Sequence, residues 1–193
     1  MKVIIIGFAI VAASFTACNS NNDSSKETAT KSNDTAKANT QAASAVTNQA
    51  ASVDEVVNSY LQLKNALTND NGNDAAGAGK QLSEAMQKVD EASFNAEQKK
   101  VYDDVKDDMK EHAEHISING GKIAHQREHF DMLSKDMYDL VKAFKPSKTL
   151  YQDHCPMYND GKGANWLSEV KEIKNPYLGK KMPDCGTVKE EIK

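Results

Sequence analysis

The sequence predicts an all-α protein, arranged as an up-down four-helix bundle with an irregular C-terminal segment wrapping it. Apolar residues recur every three or four positions between Ser52 and Lys145, as they do on one face of a helix. Clusters of Asn, Asp and Gly interrupt this pattern, and strand signals are absent from the same region. Short connections favour antiparallel neighbours, so an up-down bundle is the simplest arrangement.

The first two predicted helices are separated by the turn cluster at positions 69–72. Ser52 is a suitable N-cap for the first helix, because its hydroxyl can accept a bond from a free backbone N–H. The second helix starts near Asp74. The apolar faces of the two helices comprise Val56, Tyr60, Leu63 and Leu67, and Leu82, Ala85, Met86 and Val89.

The third and fourth predicted helices meet at Asn119-Gly-Gly121, where glycine supplies the left-handed backbone of a helix end. The third helix starts near Asn95. The fourth runs from Ile123 to Phe144 and stops before Pro146, because the residue preceding proline disfavours helix. The apolar stripe of the third helix contains Val101, Val105, Met109, His112 and Ile116.

The residues after Lys145 differ in composition, being rich in Gly, Pro, Asn and aromatic side chains. Only Ala164 to Ile173 has a helical pattern. Large aromatic side chains with a polar tip need a surface to pack against. We therefore expect the tail to wrap one end or face of the bundle through Tyr151, Tyr158, Trp166 and Tyr177.

The N-terminus has the features of a targeting segment. A short positive start, an apolar run and small residues before Cys18 resemble a bacterial lipoprotein signal, with cleavage before Cys18 and a lipid on its sulfur. An ordinary secretory signal is the alternative. The predicted organisation is a signal peptide (1–17), lipidated Cys18 with a low-complexity, disordered tether (18–51), and a folded domain (52–193). We expect the protein in the bacterial cell envelope, anchored on the periplasmic side or at the cell surface.

Charge and motif content narrow the functional classes. The formal net charge is −4, which argues against a nucleic-acid partner and against a polybasic membrane patch. The sequence lacks a glycine-rich phosphate loop, a His-Glu-x-x-His motif and a serine nucleophile elbow. We therefore predict that the protein is not an enzyme.

The C-terminal segment contains the strongest candidate for a metal site. Thiolate, thioether and imidazole are the ligands that select Cu(I). An alternative role for the two cysteines is a disulfide that staples the tail in an oxidising compartment. Methionine can equally serve as core packing, and the adjacent histidine as a surface residue. The candidate ligands are Cys155, Cys185, Met157, Met182 and His154.

The helical histidines are a second candidate group. Gly120 lies midway between His115 and His125, so an antiparallel hairpin places these two at about the same height. His112 and His129 lie about one turn further along. At 100° per residue, His112 falls within an apolar stripe and is expected in the core, whereas His125 lies off its stripe. These azimuths predict that the four do not converge. His115 and His125 remain candidate ligands or partners of ligands at the flank where the tail docks.

Four sequence motifs of the chain resemble those of a known family. They are Gly121-x-Ile-x-His-Gln-Arg-x-x-Phe130, Tyr151-x-x-His-Cys-Pro-Met157, Trp166-Leu-Ser and Asn175-Pro-Tyr-x-Gly-x-x-Met-x-x-Cys-Gly186. These look like a bacterial domain family of unknown function, found as small envelope lipoproteins and fused to periplasmic adaptors of heavy-metal efflux systems. The resemblance runs from about Val53 to the C-terminus. The segment before Tyr158 also resembles the Tyr-x-Cys-Pro-Met-His core of short heavy-metal-binding domains, which have histidine at that position.

The resemblance implies metal handling and an envelope partner such as a heavy-metal efflux adaptor. Together with the soft ligand set, it predicts a lipid-anchored periplasmic metal-binding protein that buffers or delivers Cu(I). The alternative is a non-catalytic interaction module of the envelope whose tail is held by a Cys155–Cys185 disulfide.

Overall fold

The computed structural model describes residues 37–193, with side chains from Val53 onward. This part of the chain is helix-rich. Its four long helices are α1 (Lys37–Thr68), α2 (Gly72–Gln87), α3 (Ala96–Ile118) and α4 (Ile123–Phe144). A small antiparallel sheet follows, formed by β1 (Leu150–Cys155), β2 (Ala164–Ser168) and β3 (Thr187–Ile192). The predicted signal peptide, Cys18 and the tether up to residue 36 lie outside the described residues.

Helix boundaries follow the turn and cap signals closely, except at the start of α1. This helix begins at Lys37, upstream of the expected start at Ser52. The upstream stretch is rich in alanine, so a helix stabilised by packing further along extends into it readily. Asn71 caps α2 by accepting a bond from the backbone N–H of Asp74. Asn95 caps α3 in a reciprocal capping box.

The helices pack mainly on their neighbours in sequence, around one apolar core. Gly79 allows α2 to approach α3 closely, because a Cβ at this position would lie 2.9 Å from the carbonyl oxygen of Ala113. All four helices contribute to the core. Its fully buried side chains include Leu63, Leu67, Leu82, Met109, Ile116, Phe130, Leu133, Met137 and Leu140.

The C-terminal segment forms a sheet, so the expected irregular tail is wrong. The strand order is β2-β1-β3, with β1 paired antiparallel to both neighbours. The helical expectation for Ala164 to Ile173 is also wrong, because β2 occupies Ala164–Ser168. Asp153 pairs with Trp166 across β1 and β2. Such non-local pairing, rather than the local pattern, decides the conformation of a short strand.

The C-terminal segment packs against α1 and α4, and its aromatic residues Trp166 and Tyr177 are buried as expected. Tyr177 contacts Phe130 of α4, with ring centroids 5.6 Å apart, and Trp166 packs on Tyr177. The backbone N–H of Leu167 donates to Tyr60 Oη at 3.0 Å, and Tyr60 Oη lies 2.8 Å from Ser134 Oγ. These bonds satisfy polar groups that docking removes from water. Within residues 37–193, no helix has the length and apolar character needed to cross a membrane.

Candidate metal centre

Four of the five histidines of the chain lie together on the α3–α4 hairpin. His115, His125 and His129 can each offer one ring nitrogen, and these three atoms lie within 4.8 Å of one another. His112 lies beside them, with its Nδ1 atom 3.2 Å from Nδ1 of His129. We refer to these four residues as the histidine cluster.

Local geometry assembles the histidine cluster. His125 and His129 are four residues apart on α4, so they share one face of the helix. The neighbouring α3 places both His112 and His115 against His129, with ring centroids 5.4 Å and 4.4 Å away, and His115 lies 6.3 Å from His125. Buried Gln126 fixes the hairpin, since its Nε2 donates to the carbonyl oxygen of Ile116 at 3.0 Å and to that of Gly72 at 2.9 Å.

Two ring nitrogens of the cluster face each other at metal-ligand spacing. His125 Nε2 lies 3.2 Å from His129 Nε2. Two imidazole nitrogens that bind one tetrahedral ion at about 2.0–2.1 Å are about 3.3 Å apart. His115 is the third possible donor; its ring stacks on His129 with centroids 4.4 Å apart, and its side chain is 43 % exposed. The residues present therefore fit a metal ion held by imidazole.

Further side chains lie within hydrogen-bonding distance of the opposite ring nitrogens. His125 Nδ1 lies 3.2 Å from Glu128 Oε2, a carboxylate oxygen that accepts a proton carried by this nitrogen. His129 Nδ1 lies 3.2 Å from His112 Nδ1, and the tautomer decides which of the two donates. In the tautomers that carry the proton on Nδ1 of both His125 and His129, both facing Nε2 atoms present lone pairs. Carboxylates and other acceptors orient metal-binding histidines in this way.

Burial and charge favour neutral imidazole at the inner side of the cluster. Burial lowers the pKa of His112, and burial with the neighbouring histidines lowers the pKa of His129. The outer side is open, because the side chain of His125 is 40 % exposed. The cluster thus combines two oriented nitrogens with a face accessible to solvent.

The structure places His112 beside His129, as their predicted heights require, but His115 stacks more closely on His129 than on His125. Three of the four histidines can offer a ring nitrogen to one ion and His112 is not among them, which agrees with the prediction that all four do not converge. His112 is half-buried and contacts His129 instead of lying in the core. An azimuth measured on one helix ignores the neighbouring helix, and residues that flank two apolar stripes face each other across the seam between the helices. Sequence reasoning did not select His129 as a ligand. The signal was present, because His125-Gln-Arg-Glu-His129 has the H-x-x-E-H spacing of some zinc enzymes.

The two cysteines of the C-terminal segment also lie together. Cys155 Sγ at the end of β1 is 2.9 Å from Cys185 Sγ, and both are free thiols. Their mutual hydrogen bond raises the pKa of the Cys185 thiol. Two thiolates on one tetrahedral ion are about 3.8 Å apart for bonds of about 2.3 Å. The observed separation is shorter than this spacing and longer than the S–S bond of about 2.05 Å.

The remaining predicted ligands of this segment are placed differently. His154 neighbours Cys155 on a strand, so its side chain projects from the opposite face. Its Nδ1 lies 2.8 Å from Asn165 Oδ1, and its ring packs over Gly163, where a Cβ would come within 2.6 Å. Met157 is 56 % exposed, and Met182 is half-buried. The structure therefore brings the two thiols together and holds His154 away from them.

The described chain is thus a helical domain with a histidine cluster across one hairpin, followed by a small sheet with a thiol pair. A domain of the family described as Protein of unknown function (DUF3347) is found at residues 56–149. This region extends from α1 to the end of α4 and contains the whole histidine cluster, whereas the sheet and its thiols follow it. No curated protein and no solved structure matches the chain.

Proposed function

We propose that this protein is a lipid-anchored metal-binding protein of the bacterial envelope, and that His115, His125 and His129 bind one copper ion. The observation that carries the proposal is the facing pair of Nε2 atoms of His125 and His129, 3.2 Å apart. Their outer nitrogens already have partners in Glu128 and His112. Imidazole nitrogen suits copper and zinc among the available metals.

The proposed role is buffering or delivery of the ion for heavy-metal efflux. Three protein ligands leave a coordination position open, and the half-exposed cluster lets an acceptor approach it. The resemblance to domains on efflux adaptors favours copper over zinc and makes such an adaptor the proposed partner. Cys18 would carry the lipid anchor. We also propose that the four helices run up and down, as the α3–α4 hairpin does.

We propose a binding role without catalysis. In H-x-x-E-H zinc enzymes the glutamate acts on a metal-bound water. Here Glu128 Oε2 bonds to His125 Nδ1, on the side away from the facing lone pairs. This placement supports a glutamate that orients a ligand rather than one that abstracts a proton.

Metal titration tests the proposal directly. The metal-free protein with alkylated thiols is titrated with Cu(II), and separately with Zn(II), against a competing chelator. Wild type should bind one equivalent, and electron paramagnetic resonance of the Cu(II) form should show nitrogen ligands. His129→Ala removes one of the two facing donors and should weaken binding by about 100-fold or more, above the loss typical for an outer partner.

His154→Ala is the matched control, because His154 is the one histidine outside the cluster and should leave the affinity unchanged. A second titration uses Cu(I) and the reduced protein. If His129→Ala binds copper as wild type does while Cys155→Ser loses it, the thiol pair is the metal site and the histidine proposal fails.

A further inference from the structure

We propose that Cys155 and Cys185 form a reversible intramolecular disulfide, a modification site that is independent of the proposed metal centre. The two sulfur atoms are 2.9 Å apart in the thiol form. Forming a bond of about 2.05 Å therefore requires an approach of about 0.9 Å, which side-chain rotation and a small backbone adjustment can supply.

The surrounding structure holds both cysteines in place without the bond. His154 pairs with Thr187 where β1 and β3 meet, so the two segments that carry the cysteines are already adjacent. Buried Asn175 also holds Cys185 in place, since its Nδ2 donates a hydrogen bond to the carbonyl oxygen of Cys185 at 2.6 Å. These contacts keep the two cysteines adjacent without the bond, and a reductant can reach the bond through the partly exposed Cys185.

Burial makes the two thiols unequal. Cys155 is fully buried, whereas Cys185 is partly exposed. A reagent from solvent thus reaches Cys185 first. Cys155 is buried next to Cys185, with its sulfur 2.9 Å from that of Cys185. In thiol–disulfide exchange, exposure assigns the first attack to Cys185 and the second to Cys155, and the raised pKa of Cys185 makes the first attack faster as the pH rises.

The oxidant is a small or protein disulfide, and the exchange proceeds in two steps. The Cys185 thiolate attacks one sulfur of the oxidant, which gives a mixed disulfide and releases one thiolate. The Cys155 thiolate then attacks Cys185 Sγ, closes the internal bond and releases the second thiolate. Two electrons pass to the oxidant, and the protons of the two cysteines pass through solvent to the two released thiolates.

Closing this bond links two positions 30 residues apart and encloses β2. The cross-link restricts the unfolded chain, so the oxidised protein should unfold at a higher temperature than the reduced protein. For a loop of this length in a domain of this size, the expected rise in Tm is about 5–10 °C.

The test uses the reduced full-length protein with a metal chelator and oxidised glutathione. Peptide mapping by mass spectrometry should show Cys155 linked to Cys185 within one chain, and dithiothreitol should reverse both the link and the rise in Tm. The proposal is overturned if the two thiols stay free or if the link forms between two chains.

Two variants test the order of attack. Cys155→Ser lacks the internal thiol and should retain one glutathione on Cys185, whereas Cys185→Ser should leave the buried Cys155 unmodified. The opposite pattern would overturn the assignment of the first attack. Both variants keep the histidine cluster, so their Zn(II) titration reports separately on the proposed function.

Discussion

The histidine cluster and the thiol pair have similar donor separations but opposite surroundings. The facing nitrogens of His125 and His129 are 3.2 Å apart, and the sulfurs of Cys155 and Cys185 are 2.9 Å apart. The nitrogens come from one helical turn at a half-exposed surface. The sulfurs come from segments distant in sequence, and one of them is fully buried.

This difference shows that proximity alone does not define the chemistry of a donor pair. At the cluster, Glu128 and His112 lie within hydrogen-bonding distance of the outer nitrogens, and the tautomers with protons on those nitrogens direct both inner lone pairs into the gap where we propose an ion binds. At the thiol pair, a hydrogen bond occupies the gap and raises the pKa of Cys185. The first arrangement suits reversible ion binding, and the second suits a covalent bond between the donors.

The largest expected effect is on the stability of the C-terminal segment that carries the thiol pair. Trp166→Ala removes a fully buried side chain of β2 that packs on Tyr177 and Gly186, and should lower the free energy of unfolding by about 3–5 kcal/mol. Denaturant unfolding measures this change. Met157→Ala, at an exposed site in the same segment, should cost less than about 0.5 kcal/mol. Equal losses in the two variants would contradict the docking described for the sheet.

A second prediction concerns a buried carboxylate beside the thiol pair. Asp153 is fully buried, neither of its oxygens has a hydrogen-bond partner among the residues that the structure describes, and burial raises its pKa to about 7. The folded state therefore holds a proton that the unfolded chain releases near pH 4, so stability falls as the pH rises from about 4 through 7. Asp153→Asn stays neutral and should gain about 4 kcal/mol at pH 8, with little gain at pH 4.

Unfolding of both proteins at a series of pH values measures this difference. The exposed Asp104→Asn serves as the control and should change stability by less than about 0.5 kcal/mol at every pH. A gain from Asp153→Asn that does not depend on pH would show that the carboxylate is not the cause.

The smallest expected effect tests the outer partner of the histidine cluster. His112→Ala removes the side chain 3.2 Å from His129 Nδ1, which in the metal-binding tautomer would accept its proton, and should weaken metal binding by about 10–100-fold, or about 1.4–2.7 kcal/mol. His112→Asn restores an acceptor oxygen and should recover part of the affinity. Chelator competition measures both variants. If both bind as tightly as wild type, His112 does not orient His129.

The four helices could be predicted from the sequence because their signals are local. The turns at 69–72 and 119–121, the cap at Asn95 and the stop before Pro146 all lie close to the observed ends. The sheet could not be predicted in the same way. Its strands are short, and β1 pairs with partners far along the chain with a register shift between Gln152 and Asp153.

The positions of the histidines along the hairpin could be predicted from the sequence, whereas the directions of their rings could not. Counting from Gly120 placed His115 level with His125, because distance along a hairpin depends only on residue number. The direction of each ring depends on how α3 and α4 pack, which residue number does not encode. The adjacency of Cys155 and Cys185 likewise depends on the β1–β3 pairing.

Arg127 lies between His125 and His129 on α4 and has a separate consequence for the proposed ion. Its guanidinium donates to the carbonyl oxygens of Pro176 at 2.7 Å and Leu67 at 2.9 Å, and also to the carboxylate of Asp70. The helical turn that carries the two facing imidazoles is therefore immobilised before an ion arrives. Preorganised ligands lose little conformational entropy on binding. The affinity of this site should then depend on the donors themselves and little on the cost of ordering the backbone.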